Sequence, residues 1–156
     1  MKSELKSIVK ADEPFLFQVY ISTRQQEAES WGWSSEQIES FLSMQWQAQR
    51  LYYSQQFPKA NHNIILYENE YVGRCVIVDL PEHLHLIDIS VLPNYQGKGI
   101  GACILKLLQH KASKGGKPVT LQVFYGNSAM FLYERLGFQV VETNGLYVKM
   151  QWQEIQ

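Results

Sequence analysis

The sequence predicts a mixed α/β fold in which two helices precede three antiparallel strands, and a single crossover unit follows them. Three observations support this class. Apolar side chains recur at helical spacing over residues 34–57. The period changes to two over residues 63–92, which is typical of half-buried strands. A glycine-rich loop at residues 97–101 then separates these strands from a further helix, strand and helix.

Local signals set the boundaries of these elements. Asp12 is expected to cap the first helix, with Pro14 in its first turn, and a Trp31-Gly32-Trp33 break follows that helix. Ser34 and Gln37 have the spacing of a capping box for the second helix. The predicted elements are a strand over 5–9, helices over 12–30 and 34–57, strands over 63–68, 71–80 (after an Asn69-Glu70 turn) and 83–92, a helix over 100–113, a strand over 118–125, a helix over 127–136, and a hairpin about Asn144-Gly145.

Composition excludes several classes of partner. The chain has 156 residues and a formal net charge of -1, so it has no overall field for nucleic acid or an anionic membrane. No stretch approaches the length of a membrane span, and residues 1–14 lack the apolar core of a secretion signal. Cys75 and Cys103 lie in apolar runs, which favours reduced, buried thiols. We therefore expect a cytoplasmic protein whose residues 1–156 form one domain.

The glycine loop is the strongest functional signal. Gly97, Gly99 and Gly101 lie where a strand ends and a helix begins, so exposed N–H groups and the helix dipole favour a phosphate there, and Lys98 adds positive charge. A turn that only joins two elements is the alternative. A dinucleotide-binding fold would require an acidic residue in the next strand, which this chain lacks. The residue spacing of a Walker loop is also absent.

Two motifs carry a resemblance to a known family. The segment Gln96 to Gly101 resembles the Q/R-x-x-G-x-G/A signature of the GNAT superfamily of acyl-CoA-dependent N-acetyltransferases. The segment "NSAMFLYERLGF" is similar to the family's N-x-x-A-x-x-x-Y-x-x-x-G-F pattern, with Met130 in place of its alanine. The order of predicted elements also resembles that family, and only residues 12–60 contain no motif that matches it.

The resemblance implies a GNAT fold and an acetyl-CoA site. The fold would have a mostly antiparallel, twisted sheet of about seven strands with four helices, splayed between the fourth and fifth strands. The backbone around Val91 would pair with the pantetheine arm, and Asn127 would hold that arm from the other side. The pyrophosphate would lie on backbone N–H groups of Gln96, Gly97, Lys98, Gly99, Ile100, Gly101 and Ala102.

The resemblance also implies transfer of an acetyl group to a primary amine by direct attack in a ternary complex. A base must deprotonate the amine, and His85 is the first candidate because its position matches a base in some family members. His83 could replace it or relay a proton. Strand alternation places Asp88 on the opposite face, which ranks it third, and a water chain remains open. Tyr133 is the expected acid for the leaving thiolate, whereas Gln122 replaces a glutamate used elsewhere in the family.

The first two helices are expected to select the acceptor, which could be a small-molecule amine or a peptide amine. Arg24, Glu27 and Trp31 are the candidate contacts, whereas Trp46 and Tyr52 lie on the apolar stripe of the second helix and are expected to pack. No metal is expected, since no cluster of ligands accompanies the two histidines. A homodimer is possible through the strand 146–152.

Two other functions remain as alternatives. A protein of this family could bind acyl-CoA without catalysis and act as a sensor or interaction module, which the uncertain base and Gln122 leave open. A small dinucleotide-dependent oxidoreductase is the second alternative, against which the late position of the glycine loop argues.

Overall fold

The structure is a computed structural model that describes residues 3–155. It confirms the mixed α/β class: a seven-stranded sheet carries four α-helices. The elements are β1 (Ser3–Ser7), α1 (Glu13–Glu29), α2 (Ser35–Gln56), β2 (Asn61–Tyr67), β3 (Glu70–Asp79), β4 (Leu84–Val91), α3 (Ile100–Lys114), β5 (Val119–Phe124), α4 (Ala129–Arg135), β6 (Gln139–Asn144) and β7 (Tyr147–Trp152).

The sheet has the strand order β1-β2-β3-β4-β5-β7-β6. Every neighbouring pair is antiparallel except β4 and β5, which run parallel because α3 connects them. Their ladder is short: Leu84 to Leu86 pair with Val119 to Leu121, and no pairing follows although β4 continues to Val91. The predicted opening between the fourth and fifth strands is therefore present.

Two apolar cores lie on opposite faces of this sheet. The larger one packs α3 and α4 against strands β2 to β5 and β7, with Ile104, Leu105 and Met150 fully buried at its centre. The smaller one packs α1 and α2 against β2 through Leu42 and Ile64. Within the described residues, no helix is both long enough and apolar enough to cross a membrane.

The start of α2 follows its predicted capping box. Ser34 Oγ accepts the N–H of Gln37 at 3.1 Å, and Gln37 Oε1 accepts the N–H of Ser34 at 2.9 Å. The expectation for Asp12 is wrong in its detail. Asp12 occupies the N-cap position of α1, but its carboxylate accepts hydrogen bonds from Lys6, Tyr71 and the N–H of Val9 instead of capping the helix.

A β-bulge changes the direction of side chains along β4. Leu86 pairs with Ile77 and Asp88 pairs with Val76, so Ile87 has no partner across the ladder. This extra residue reverses the alternation, so that Leu86 and Ile89 both pack in the larger core and His85 and Asp88 both lie on the opposite face. The expectation that they lie on opposite faces is therefore wrong, because strict alternation holds only in a strand without a bulge.

Two boundaries in the hairpins also differ from expectation. The β2–β3 turn lies at Glu68 and Asn69, whose φ angles of 51° and 68° suit a type I′ turn, and not at Asn69-Glu70. The strand 146–152 is not an edge, because β7 lies between β5 and β6. The edge strand is β6, so the basis on which a dimer through β7 was expected does not hold.

Candidate active site

Two cavities meet where β4 and β5 separate. The loop cavity, of about 450 Å³, lies between the glycine loop, the start of α3 and α4. The large cavity, of about 1170 Å³, lies between the opened strands and the helices α1 and α2. Val91, Gln96 and Tyr133 line both cavities, so one groove runs from the glycine loop to the face of the sheet that carries His85.

The glycine loop exposes backbone to the loop cavity. Gly97 and Gly99 have φ angles of 78° and 80°, in the left-handed region that favours glycine. An added Cβ at Gly97 would meet no atom within 4 Å, so backbone conformation and not crowding accounts for this glycine. No side chain caps α3, which leaves the N–H groups of its first turn directed into the groove. Lys98 is exposed and does not line the cavity.

Gln96 holds the backbone at the end of β4. The N–H of Leu92 donates to Val72 in β3, so the carbonyl of Val91 points the other way, toward the opening. Gln96 Nε2 donates to that carbonyl at 2.9 Å. One group of the backbone around Val91, which the resemblance assigned to pantetheine, thus already has a protein partner in this structure.

Asn127 lies on the opposite wall of the opening, just before α4. Its Oδ1 accepts the N–H of Ala129 at 2.8 Å, which fixes the first turn of that helix. Among the described residues its side-chain nitrogen has no hydrogen-bond partner, and the residue lines the large cavity. The amide can therefore donate into the groove while its oxygen remains bound to the helix.

Tyr133 stands at the junction of the two cavities. The helix α4 buries its ring against Phe138, with the ring centroids 5.8 Å apart. Burial, together with the negative charge of Asp88, raises the pKa of Tyr133 to about 12. The phenol is therefore protonated at neutral pH and can act as a proton donor.

His85 lines the large cavity, whereas His83 lies just before β4 and outside that lining. The ring of His85 stacks on Phe57, the C-cap residue of α2, at a centroid distance of 5.9 Å. Burial lowers the pKa of His85, and the nearby His83 and Lys149 lower it further. His85 is thus neutral at pH 7, the state that a base requires. Both histidines contact Thr120, a residue for which the sequence offered no signal.

Asp88 belongs to a partly buried polar network beside His85. Arg74 Nε donates to Asp88 Oδ2 at 2.6 Å, and Arg74 Nη2 donates to Gln49 Oε1 at 3.0 Å. Ser90 donates to the other carboxylate oxygen. The network ties β3, β4 and α2 together at the floor of the large cavity.

The structure places the three predicted acceptor contacts away from this cavity. Arg24 hydrogen-bonds Tyr20 and Gln45, forms an ion pair with Glu27, and lies over the ring of Trp31. This cluster faces α2, so the role of its residues in acceptor binding stays a prediction. The residues of α1 and α2 that do line the cavity are Ser22, Thr23, Gln25, Gln26, Glu29, Gln49, Tyr52 and Tyr53.

Packing expectations for α2 were right at one position and wrong at another. Trp46 is buried in the smaller core, as its place on the apolar stripe predicts. Tyr52 is 56% exposed and lines the large cavity. The stripe ends one turn earlier than the helical spacing suggests, because the last turn of α2 extends over the opening and not over the sheet. Among the described residues, no group of three or more metal-binding side chains comes together.

Comparison with protein families agrees with this geometry. The model of the Acetyltransferase (GNAT) family matches residues 22–138, which is most of the chain. Among curated proteins, the [ribosomal protein bS18]-alanine N-acetyltransferase of Haemophilus influenzae is 34% identical over 84 residues. The match covers 53% of this chain and 58% of that protein, so the chain spans little more than half the length of this relative.

Two solved structures show the same fold. The PaiA N-acetyltransferase of Thermoplasma acidophilum, solved in complex with coenzyme A, has a TM-score of 0.72 and 22% identity, covering 99% of this chain and 100% of that chain. PH1933 from Pyrococcus horikoshii has a TM-score of 0.73 and 25% identity, covering 99% of both chains.

Proposed function

Because the chain belongs to the GNAT acetyltransferase family, we propose that it transfers the acetyl group of acetyl-CoA to a primary amine. The observation that carries this proposal is the opening between β4 and β5. There the backbone-lined loop cavity and the side-chain-lined large cavity meet at Tyr133. A sheet that is antiparallel apart from one pair also contradicts the doubly wound fold of a dinucleotide-dependent oxidoreductase.

The donor fits the loop cavity and the opened strands. Acetyl-CoA supplies a thioester, whose carbonyl carbon is attacked by the amine. The uncapped N–H groups that follow Gly99 suit its pyrophosphate, and the amide nitrogen of Asn127 suits the pantetheine arm. The backbone of β4 beyond Leu86 has no ladder partner on this side and can pair with that arm once Gln96 releases Val91.

His85 serves as the base in this proposal. A protonated amine has no free electron pair, so a neutral imidazole in the cavity wall must accept its proton before attack. The lowered pKa of His85 keeps the ring neutral at pH 7, and Phe57 holds the ring in place. Asp88 is less suited, because Arg74 and Ser90 already occupy its carboxylate oxygens.

Tyr133 serves as the acid. When the thiolate of coenzyme A leaves, a nearby phenol can protonate the sulfur, and Tyr133 is the phenol that reaches both cavities. Its raised pKa keeps the proton on the oxygen until that moment.

The walls of the large cavity suit a cationic acceptor. Its lining includes the carboxylates of Glu29 and Asp88 and no lysine or arginine, although Arg74 balances Asp88 from behind. The aromatic side chains Tyr52, Tyr53, Phe57, Phe124 and Tyr147 complete the walls, and such rings attract cations. We therefore favour a small-molecule or peptide amine without a nearby carboxylate.

The free cysteines agree with a cytoplasmic site of action, and the single sheet with a core on each face agrees with one domain over residues 1–156.

Release of free thiol from acetyl-CoA, measured across a panel of amines and short peptides, tests this function. We expect turnover with at least one cationic amine and a fall of about 10²-fold or more for His85→Gln. The matched control is His110→Gln, which changes an exposed histidine on α3 and should leave turnover unchanged. Tight binding of coenzyme A without turnover on any amine or peptide would favour a sensor instead.

A further inference from the structure

Thr120 lies between the two histidines, and the proposed chemistry does not yet use it. Its Oγ1 is 2.7 Å from His83 Nδ1 and 2.8 Å from His85 Nδ1. Thr120 reaches this place because it pairs with His85 in the short parallel ladder of β4 and β5. Paired residues direct their side chains to the same face of a sheet, so Thr120 lies on the face that carries His85.

The chemistry of a hydroxyl group restricts the two imidazoles. The hydroxyl has one proton, and it can donate that proton to only one of the two nitrogens. The other nitrogen must then carry its own proton and donate it to Oγ1. In the neutral state at least one of the two histidines is therefore protonated at Nδ1, and the hydroxyl can serve an unprotonated Nδ1 on only one of them.

We propose that Thr120 is a positioning residue that selects the base-competent tautomer of His85. In this arrangement His85 Nδ1–H donates to Thr120 Oγ1, and the hydroxyl donates to His83 Nδ1. The Nε2 atom of His85 then keeps its electron pair. When the amine gives its proton to Nε2, the resulting imidazolium retains its Nδ1–H bond to the threonine. This inference rests on the proposed function, because it assigns His85 as the base.

The surroundings of the two histidines support this direction. His85 lines the large cavity and His83 does not, so only His85 can meet the acceptor with its second nitrogen. The stack on Phe57 fixes the ring plane but does not choose between the tautomers, because the phenyl ring offers neither nitrogen a hydrogen-bond partner. The choice depends on the bond at Nδ1, which Thr120 makes, and His83 orients the hydroxyl for it.

Kinetics of two variants test this role. Thr120→Val keeps the shape and the strand preference but removes the hydroxyl, and we expect kcat to fall about 10- to 100-fold while KM for acetyl-CoA stays within about twofold. Thr120→Ser keeps the hydroxyl and should stay within about threefold of the natural protein. In a His85→Gln background, Thr120→Val should cause no further loss, since the residue acts through His85. An unchanged kcat, or an equal loss in both backgrounds, would overturn the proposal.

Nitrogen NMR of the coenzyme-free protein gives a readout that does not depend on turnover. With ¹⁵N-labelled histidine, and with His85→Gln used to assign the signal, we expect His85 to be protonated at Nδ1 in the natural protein and to populate both tautomers in Thr120→Val. A natural protein with His85 protonated at Nε2 would overturn the inference and leave acetyl transfer intact. A natural protein with the expected tautomer but no turnover would instead defeat the proposed function.

Discussion

The loop cavity is lined mainly by one segment, residues 89–105, against α4, whereas the large cavity is lined by side chains from six strands and helices that are distant in sequence. The first depends on backbone: the N–H groups of residues 97–102 and a helix end without a cap. The second depends on side chains that α1, α2, β4 and β5 bring together, with further contributions from α4 and β7. Backbone contacts, as in the loop cavity, are enough to bind acetyl-CoA. Selection of one amine acceptor requires specific side chains, as in the large cavity.

This difference has a consequence for substitutions. A change in the loop cavity should act through backbone conformation and alter the affinity for the donor. A change in the large cavity should act through charge or proton transfer and alter turnover or stability. Tyr133 lines both cavities, but its proposed role is proton donation by the hydroxyl, so loss of that hydroxyl should lower turnover and leave the affinity for the donor unchanged.

The largest expected effect is that of Tyr133→Phe. Removing the proton donor should lower kcat by about 10²- to 10⁴-fold, since that is the usual contribution of an acid or base. The affinity for acetyl-CoA, measured by titration calorimetry, should stay the same because the ring remains in the core. Tyr125→Phe is the matched control, as Tyr125 is 74% exposed and lines neither cavity. Equal turnover in the two variants would remove Tyr133 from the mechanism.

The next effect concerns stability at the floor of the large cavity. Asp88→Ala leaves the guanidinium of Arg74 buried without its carboxylate, and we expect the free energy of unfolding to fall by about 2–3 kcal/mol. Asp88→Asn keeps an oxygen that can accept from Arg74 and should lose less. Urea denaturation of both variants makes the comparison. A smaller loss for alanine than for asparagine would show that the ion pair does not stabilise this region.

A third prediction concerns the backbone of the loop. Gly97→Ala places a side chain at a φ of 78°, which costs about 1–2 kcal/mol and should weaken acetyl-CoA binding about tenfold as the loop shifts. Gly116→Ala is matched to it, because Gly116 has a φ of 67° and an equally open surrounding but lies at the far end of α3. Both variants should lose similar stability, and only Gly97→Ala should lose affinity. Equal affinities would argue against the loop as the donor site.

The smallest expected effect concerns the pH dependence of kcat. At saturating acceptor, kcat should rise with pH as His85 loses its proton, with a midpoint below 6.5 because burial, His83 and Lys149 lower its pKa. Lys149→Met removes one of these positive charges, so the pKa of His85 should rise and the midpoint should move up by about 0.3 pH units.

A variant of the partner of Lys149 provides the control for this pH shift. Glu142 forms an ion pair with Lys149 at 3.0 Å, so Glu142→Gln should move the midpoint slightly the other way. The other titratable groups of the cavity are Asp88, Glu29 and the phenols of Tyr52, Tyr53, Tyr133 and Tyr147, which both variants leave in place. A shift of the midpoint in the same direction in both variants would contradict the assignment of this rise in kcat to His85.

Much of the fold could be predicted because its signals are local. The capping box of Ser34 and Gln37, the glycines after α3 and the change of period at residue 63 each depend on neighbours within a few residues. The glycine loop is of the same kind, since a helix N-terminus after glycines is visible in one segment. The family resemblance, which depends on two such segments, is confirmed by the match over residues 22–138.

The walls of the large cavity could not be predicted in the same way, because they depend on register between distant strands. Thr120 meets His85 only because the parallel ladder pairs them, and no spacing in the sequence indicates that register. Tyr52 looked like a core residue because helical spacing does not show where the sheet beneath a helix ends. The cluster of Arg24, Glu27 and Trp31 satisfies its own polar groups, which composition alone cannot show.

The unpaired Ile87 makes the effect of a deletion in β4 depend on which residue is lost. Losing Ile87 itself would restore an even rhythm between Leu86 and Asp88 and leave Ile89 and Val91 in the apolar layer beneath α3 and α4. Losing a paired residue such as Ile89 would instead turn Ser90 into that layer and Val91 out of it. An in-frame deletion of the Ile89 codon should therefore harm the protein far more than a deletion of the Ile87 codon.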